Sequence, residues 1–239
     1  MISRLFLSGV AAIAIASLPA APAFAQRAPA RPAAPVARDW TQTVERTPEG
    51  GFRMGNPAAP VKLIEYLSFG CPHCAEFHVE SGTRLFRDYV RRGRVSVEYR
   101  NLLIFPADVP ATMLARCAAP RAFFAMGHEL LRTQAAWEGR ARTLTDAQRA
   151  QLNGLAAGPL AQRLAPMLGL DRIAVRYGLT PAAQRACLAS PANITQLDRI
   201  QSVAGSQFGV TGTPTFVING RTVNDTNSWS GIEPLLRGR

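Results

Sequence analysis

Lysine is almost missing from this 239-residue chain: Lys62 is the only one, and arginine carries nearly all the positive charge behind a formal net charge of +11. Histidine is scarce at three residues, and cysteine stops at four. These shortages limit the chemistry. With no second C-x-x-C and no histidine pair elsewhere, a closed zinc site lacks its four ligands. The arginines are scattered, apart from Arg91, Arg92 and Arg94 at an expected helix end. No dense basic tract therefore offers a nucleic-acid or membrane patch, and the charge reads as a solvated surface. No internal repeat is visible, and beyond the first 25 residues no apolar run reaches membrane length.

The N-terminus is different in character. MISRLFLSGVAAIAIASLPAAPAFA combines an early Arg4, an apolar run from Leu5 to Leu18 and a small-x-small site at Ala23-Phe24-Ala25. That is the layout of a secretory signal peptide, so residues 1–25 are expected to be removed and the protein exported. The apolar run is short for a membrane anchor, and no cysteine follows the cleavage site to carry a lipid. Residues 26–38 are Ala/Pro-rich without apolar periodicity and read as an extended tether. The remaining chain of about two hundred residues suits one soluble domain, or one domain with a large insertion.

Along that chain, Thr41 to Arg46 reads as a short strand ended by the turn signal Pro48-Glu49-Gly50-Gly51. Val61 to Leu67 (VKLIEYL) has the composition of a central strand. Helical spacing runs from Pro72 to Gly93, and Val95 to Leu102 alternates as a strand again, completing a βαβ unit. Residues 108–189 are rich in Ala, Leu, Arg and Gln with Gly/Pro punctuation, which points to several short helices. A longer helix is expected from Ser190-Pro191 to Gly209, followed by a strand Thr215 to Ile218, an Asn219-Gly220 hairpin turn and a return strand. A last helix is expected over Ser228 to Leu236.

Chemistry concentrates at FGCPHCAEFH, where Cys71 and Cys74 flank Pro72 and His73 at the junction of strand and helix. A cysteine at a helix N-terminus meets free N–H groups and the positive end of the helix dipole, both of which favour a thiolate. Pro72 loses no hydrogen bond there. The His73 ring, especially when protonated, is positioned to stabilise charge on Cys71. A stabilised thiolate favours the reduced form and so makes the disulfide oxidising. A purely structural bridge across two residues would close almost no loop. The competing reading is metal handling by Cys71, Cys74 and His78, which have C-x2-C-x3-H spacing.

SFGCPHC after a strand, with GTPTFVING near the C-terminus, resembles the thioredoxin superfamily, specifically the DsbA-like thiol:disulfide oxidoreductases of bacterial envelopes. The resemblance implies an α/β, thioredoxin-like fold over residues 39–105 and 190–239, with residues 106–189 as an inserted helical domain. It implies a periplasmic oxidase that donates its Cys71–Cys74 disulfide to exported, unfolded or reduced proteins, needs no separate cofactor or metal, and is reoxidised by a quinone-linked, DsbB-like membrane partner. A reductase or isomerase of the same fold is the nearest alternative. The isomerases usually dimerise through an added N-terminal domain, for which the segment before Val61 is too short, so a monomer is expected.

The resemblance also assigns further residues. Thr213-Pro214 matches the cis-proline site facing the active-site disulfide, where an extended substrate strand would pair with Thr213. Glu65, a lone acid in an apolar strand, matches the buried carboxylate that moves the resolving cysteine's proton; Lys62 or another cation is a possible partner. Cys117 and Cys187 are expected to form a structural disulfide, the simplest fate of a leftover pair in an oxidising compartment. His78 and His128 are expected to be ordinary helix residues.

Overall fold

The computed structural model describes residues 38–224 and 226–237; the expected signal peptide, and all of the expected tether except Arg38, lie outside the described residues. Strand β1 (Val44–Arg46) and strand β2 (Phe52–Gly55) form a hairpin. Its turn is closed by the Thr47 N–H donating to the Gly51 carbonyl at 2.9 Å. Strand β3 (Val61–Leu67) leads into helix α1 (Pro72–Ser81), and β4 (Val95–Asn101) returns parallel to β3. Seven helices follow: α2 (Asp108–Cys117), α3 (Pro120–Arg132), α4 (Gln134–Arg142), α5 (Asp146–Leu152), α6 (Ala157–Leu168), α7 (Leu170–Arg176) and α8 (Pro181–Leu188). Helix α9 (Pro191–Phe208), strands β5 (Thr215–Ile218) and β6 (Arg221–Val223), and helix α10 (Trp229–Leu236) complete the chain.

The sheet runs β1-β2-β4-β3-β5-β6, with every neighbouring pair antiparallel except β3 and β4. Central placement explains why VKLIEYL is so apolar: β3 is paired on both edges, and Leu63, Glu65, Tyr66 and Leu67 are all buried. Because β5 runs antiparallel to β3, with Thr215 opposite Tyr66, the residues just before β5 lie beside those just after β3. This register brings the distant Gly-Thr-Pro to the cysteines. One continuous buried cluster joins the sheet to the helices, with Phe52, Tyr99, Phe123, Phe124 and Trp137 among its largest members. Among the described residues no helix is long and apolar enough to cross a membrane.

Three local expectations need correction. The strand expected over Thr41 to Arg46 begins as a short 3-10 turn, Trp40–Gln42, because the Asp39 carboxylate accepts the Thr41 N–H at 3.0 Å and caps it. Strand β2 has no counterpart among the expected elements, since the alternation of Phe52, Arg53 and Met54 is too short to stand out beside a glycine; the strand is ordered by pairing with β1 and β4. The helix expected from Pro72 to Gly93 is interrupted at Gly82, whose φ of +45° is outside the helical range, and resumes as a π-helical turn over Leu85–Val90. Elsewhere the boundaries agree closely. Ser190 caps α9 by accepting the Asn193 N–H, Gly209 ends it in the left-handed conformation, and Asn219-Gly220 turns the β5–β6 hairpin with both φ angles positive.

Candidate active site

The approach to α1 is held from both sides before any cysteine chemistry begins. Asp108, fully buried at the start of α2, accepts from Ser68 Oγ at 2.8 Å and from the backbone N–H groups of Gly70 (2.8 Å), Ile104 (2.9 Å) and Phe105 (2.8 Å). Gln134, at the start of α4, donates from Nε2 to the carbonyls of Phe69 at 2.7 Å and Cys71 at 2.9 Å. Between them Gly70 has no room for a side chain. A Cβ there would sit 2.9 Å from Glu138 Oε1 and 3.1 Å from Asp108 Oδ1. The loop that delivers Cys71 is thus fastened by the helical segment.

Cys71 is the N-cap of α1 and Pro72 its first helical residue. Both cysteines are free thiols, Cys74 fully buried and Cys71 6% exposed. Their acidities are driven apart. The Cys71 pKa is lowered to about 5, first by the hydrogen bond from the Cys74 thiol, then by the Thr213 side chain and the backbone N–H groups of Cys74 and His73, all against the opposing effect of burial. With the sulfur as a thiol neither N–H makes a formal cap bond to it; their effect is to favour the charged form. Cys74 is pushed well above its usual value, first by burial, then by Cys71 and by the charge of Glu65. One sulfur is therefore a ready nucleophile at neutral pH and the other holds its proton.

His73 is exposed. Its Nδ1 lies 2.9 Å from Glu76 Oε2, and its pKa is raised first by that hydrogen bond, then by the Glu76 charge, and only after these by Cys71. Thr213 and Pro214 stand opposite the cysteines: Cys71 Sγ is 3.2 Å from the Thr213 carbonyl, to which the thiol donates, and the Thr213–Pro214 peptide bond is cis. Glu65 is fully buried on β3. Its partner is not Lys62, which is exposed, but His78, whose Nε2 lies 3.2 Å from both carboxylate oxygens. Cys117 at the end of α2 and Cys187 in α8 are joined by a disulfide, Cα atoms 6.1 Å apart.

Asp108, Gln134 and the pairing of His78 with Glu65 are absent from the sequence reading. Asp108 gives a weak signal, as an acid opening a helix; Gln134 gives none, because its partners are 63 and 65 residues away. The metal-handling alternative is not favoured. Nε2 of His78 is turned to Glu65, and among the described residues no group of three or more His, Cys, Asp and Glu side chains could hold a metal ion.

A central β3–α1–β4 unit extended by antiparallel strands, with a split-acidity dithiol at a helix start facing a Thr-Pro turn, defines a thioredoxin-like protein with a helical segment between the sheet's two halves. A family model described as Thioredoxin matches residues 47–237, and the chain belongs to that family. The crystal structure of a protein-disulfide isomerase from Novosphingobium aromaticivorans is similar, at 29% identity and a TM-score of 0.72 over 77% of this chain and 94% of that one. Wolbachia pipientis alpha-DsbA1 has the same fold, at 20% identity and a TM-score of 0.60, covering 77% of this chain and 88% of its own. A Rickettsia prowazekii protein, assigned by its name to the protein-disulfide oxidoreductases, is 24% identical over 75% of this chain. The chain spans 58% of that relative's length, and 33% of the length of a Rickettsia bellii relative of similar name that is 28% identical over 36% of this chain.

Proposed function

We propose that the chain is an exported thiol:disulfide oxidoreductase working mainly as an oxidase. A substrate thiolate attacks Cys71 Sγ, the Cys71–Cys74 bond breaks, and Cys74 leaves with the electron pair. A second substrate thiolate then attacks the substrate sulfur of the mixed disulfide and releases Cys71 as a stabilised thiolate. The observation that carries this reading is the position of Cys71 at the N-cap of α1, beside buried Cys74 and with its sulfur 3.2 Å from the Thr213 carbonyl; these surroundings lower its pKa, and a good leaving thiolate favours an oxidising disulfide. Thr213 and Pro214 would line the strand of substrate beside Cys71. Glu65 would exchange the Cys74 proton, and His73 would add a smaller electrostatic contribution at the surface.

The signal-like residues 1–25 support a periplasmic location, where exported reduced proteins are the substrates and a quinone-linked membrane oxidase of the DsbB kind restores the disulfide. In this reading the protein works as a monomer without a cofactor or resident metal. Similarity to the Novosphingobium protein-disulfide isomerase keeps isomerase activity as the second reading. The test is a pair of assays: equilibration of the Cys71–Cys74 pair with a glutathione buffer, and turnover on a reduced against a scrambled-disulfide substrate. Rapid oxidation of the reduced substrate and a potential well above that of thioredoxin support the oxidase. Turnover on the scrambled substrate alone would replace it with the isomerase.

A further inference from the structure

Cys74 has no direct access to water, yet every redox cycle must give it a proton and take one away. When the Cys71–Cys74 bond breaks, the electron pair departs on Cys74, and burial together with Cys71 and Glu65 makes the resulting thiolate strongly basic. Glu65 is equally enclosed, paired on one side with Tyr99 of β4 and on the other with Phe216 of β5. Its only side-chain hydrogen-bond partner among the described residues is His78. One turn along α1 from Cys74, His78 is mostly enclosed, with Nε2 turned to Glu65, and it also lines an open cleft of about 600 Å³ together with Ala75, Val79 and Phe86.

Resting on the oxidoreductase reading above, we propose that His78 relays the Cys74 proton between buried Glu65 and the water of this cleft. On reduction of the disulfide, a proton passes from the water of the cleft through His78 and then Glu65 to the Cys74 thiolate; on reoxidation it leaves by the same route in reverse. The groups facing His78 are consistent with this path. From α3, His128 packs with its ring centroid 5.6 Å away, but burial first, and then His78, hold its pKa down to about 3, so it stays neutral. Its Nε2 lies 3.3 Å from the Tyr99 hydroxyl, whose own pKa is pushed well up by burial and then by Glu65. Neither group carries the proton onward. Arg132 of α3, Arg87 of the π-helical turn, Arg91 just after that turn and Asp39 line the same cleft. Asp39 and Arg91 are paired at 3.2 Å, and Arg87 is paired with Asp88 at 2.8 Å.

The relay is tested with a nitrothiobenzoate disulfide as the probe. Attack by Cys71 on the probe releases one coloured thiolate; attack by Cys74 on the mixed disulfide releases a second and requires loss of the Cys74 proton. Replacing His78 by Ala is expected to slow the second release about tenfold or more relative to the first and to change its pH profile. Added imidazole, which fits the vacated edge of the open cleft, is expected to restore it. His78→Gln, which keeps a polar group against Glu65, is expected to show the same slowing and tests the relay should the alanine variant fail to fold. A second release at the wild-type rate in either variant, or a slowing in the alanine variant that imidazole does not relieve, overturns the relay. Absence of the first release in the wild-type protein would instead overturn the oxidoreductase reading.

Discussion

Asp108 Oδ1 accepts the backbone N–H of Gly70 at 2.8 Å, so a carboxylate from the helical segment fixes the residue immediately before Cys71. The same carboxylate takes three further hydrogen bonds and has no contact with water. Its removal takes an acceptor from the N–H groups of Gly70, Ile104 and Phe105 and from the buried Ser68 hydroxyl. Asp108→Ala is expected to cost about 3–5 kcal/mol in chemical denaturation and to broaden the reactivity of Cys71. Gln134→Ala, which frees two carbonyls, is expected to cost about 1–2 kcal/mol. Wild-type stability in both variants would show that the loop is held by something else.

Cys74 and Thr213 are the side chains that lower the Cys71 pKa. Replacing Cys74 by Ala removes the leading cause, and titration of ultraviolet thiolate absorbance is expected to place Cys71 nearer the ordinary thiol range. The variant also lacks the thiol that resolves mixed disulfides in the proposed function, and it is expected to accumulate them. Thr213→Val keeps the shape and removes the hydroxyl. Each unit by which it raises the Cys71 pKa corresponds to about 1.4 kcal/mol and moves the potential about 30 mV toward reducing values. An unchanged titration in both variants would assign the acidity to the helix end alone.

His73→Leu is expected to raise the Cys71 pKa by less than either of those changes, since the ring is exposed and bonded first to Glu76. Glu76→Gln, which frees the ring from its partner, separates the two charges in the same titration. A shift for His73→Leu larger than that for Cys74→Ala would make the ring the main determinant.

Acidity at Cys71 also ties stability to pH. Its pKa falls from an ordinary 9.0 in the open chain to about 5 in the folded, reduced protein. A depressed thiol stabilises the fold fully above about pH 9, and that contribution disappears as pH falls to about 5. The disulfide form has no such group. Melting curves of the two forms are therefore expected to show the reduced protein losing stability relative to the oxidised one between pH 9 and 5, by about 2–4 kcal/mol after discounting for solvent screening. A pH-independent difference would contradict the low pKa.

The bridge between Cys117 and Cys187 spans 70 residues. In the chain-entropy account a loop of that length stabilises by about 4 kcal/mol, so replacing both cysteines by alanine is expected to lower stability by roughly that amount. Because this bridge lies outside the site, the Cys71 titration is expected to remain as it was. A loss of redox activity without a loss of stability would point to a catalytic role for the second pair.

Much of this site was legible in the chain because its parts obey local rules. Cysteine, proline and a capping position are adjacent in sequence, so the helix N-terminus and its effect on Cys71 follow from the dipole and the unpaired N–H groups. Ser190-Pro191, Gly209 and Asn219-Gly220 mark their boundaries by backbone preferences that act within a few residues. Strand β2 and the break at Gly82 were not legible, since one depends on pairing with β1 and β4 and the other on a single backbone angle.

The amino-acid sequence by itself determined the dithiol, its place at the start of a helix, the apolar central strand and the single acid within it. Only the tertiary structure decided which groups those residues meet. Lys62 and His78 both carry side-chain nitrogens close in sequence to Glu65, but alternation along β3 turns Lys62 to solvent while α1 brings His78 across the carboxylate. Thr213 reaches Cys71 from 142 residues away through the β3–β5 register, and Gln134 reaches it from 63 residues away through the packing of α4. Local backbone preferences act over a few residues, whereas the low dielectric and hydrogen bonds that drive the two cysteine pKa values apart exist only once distant segments have excluded water together.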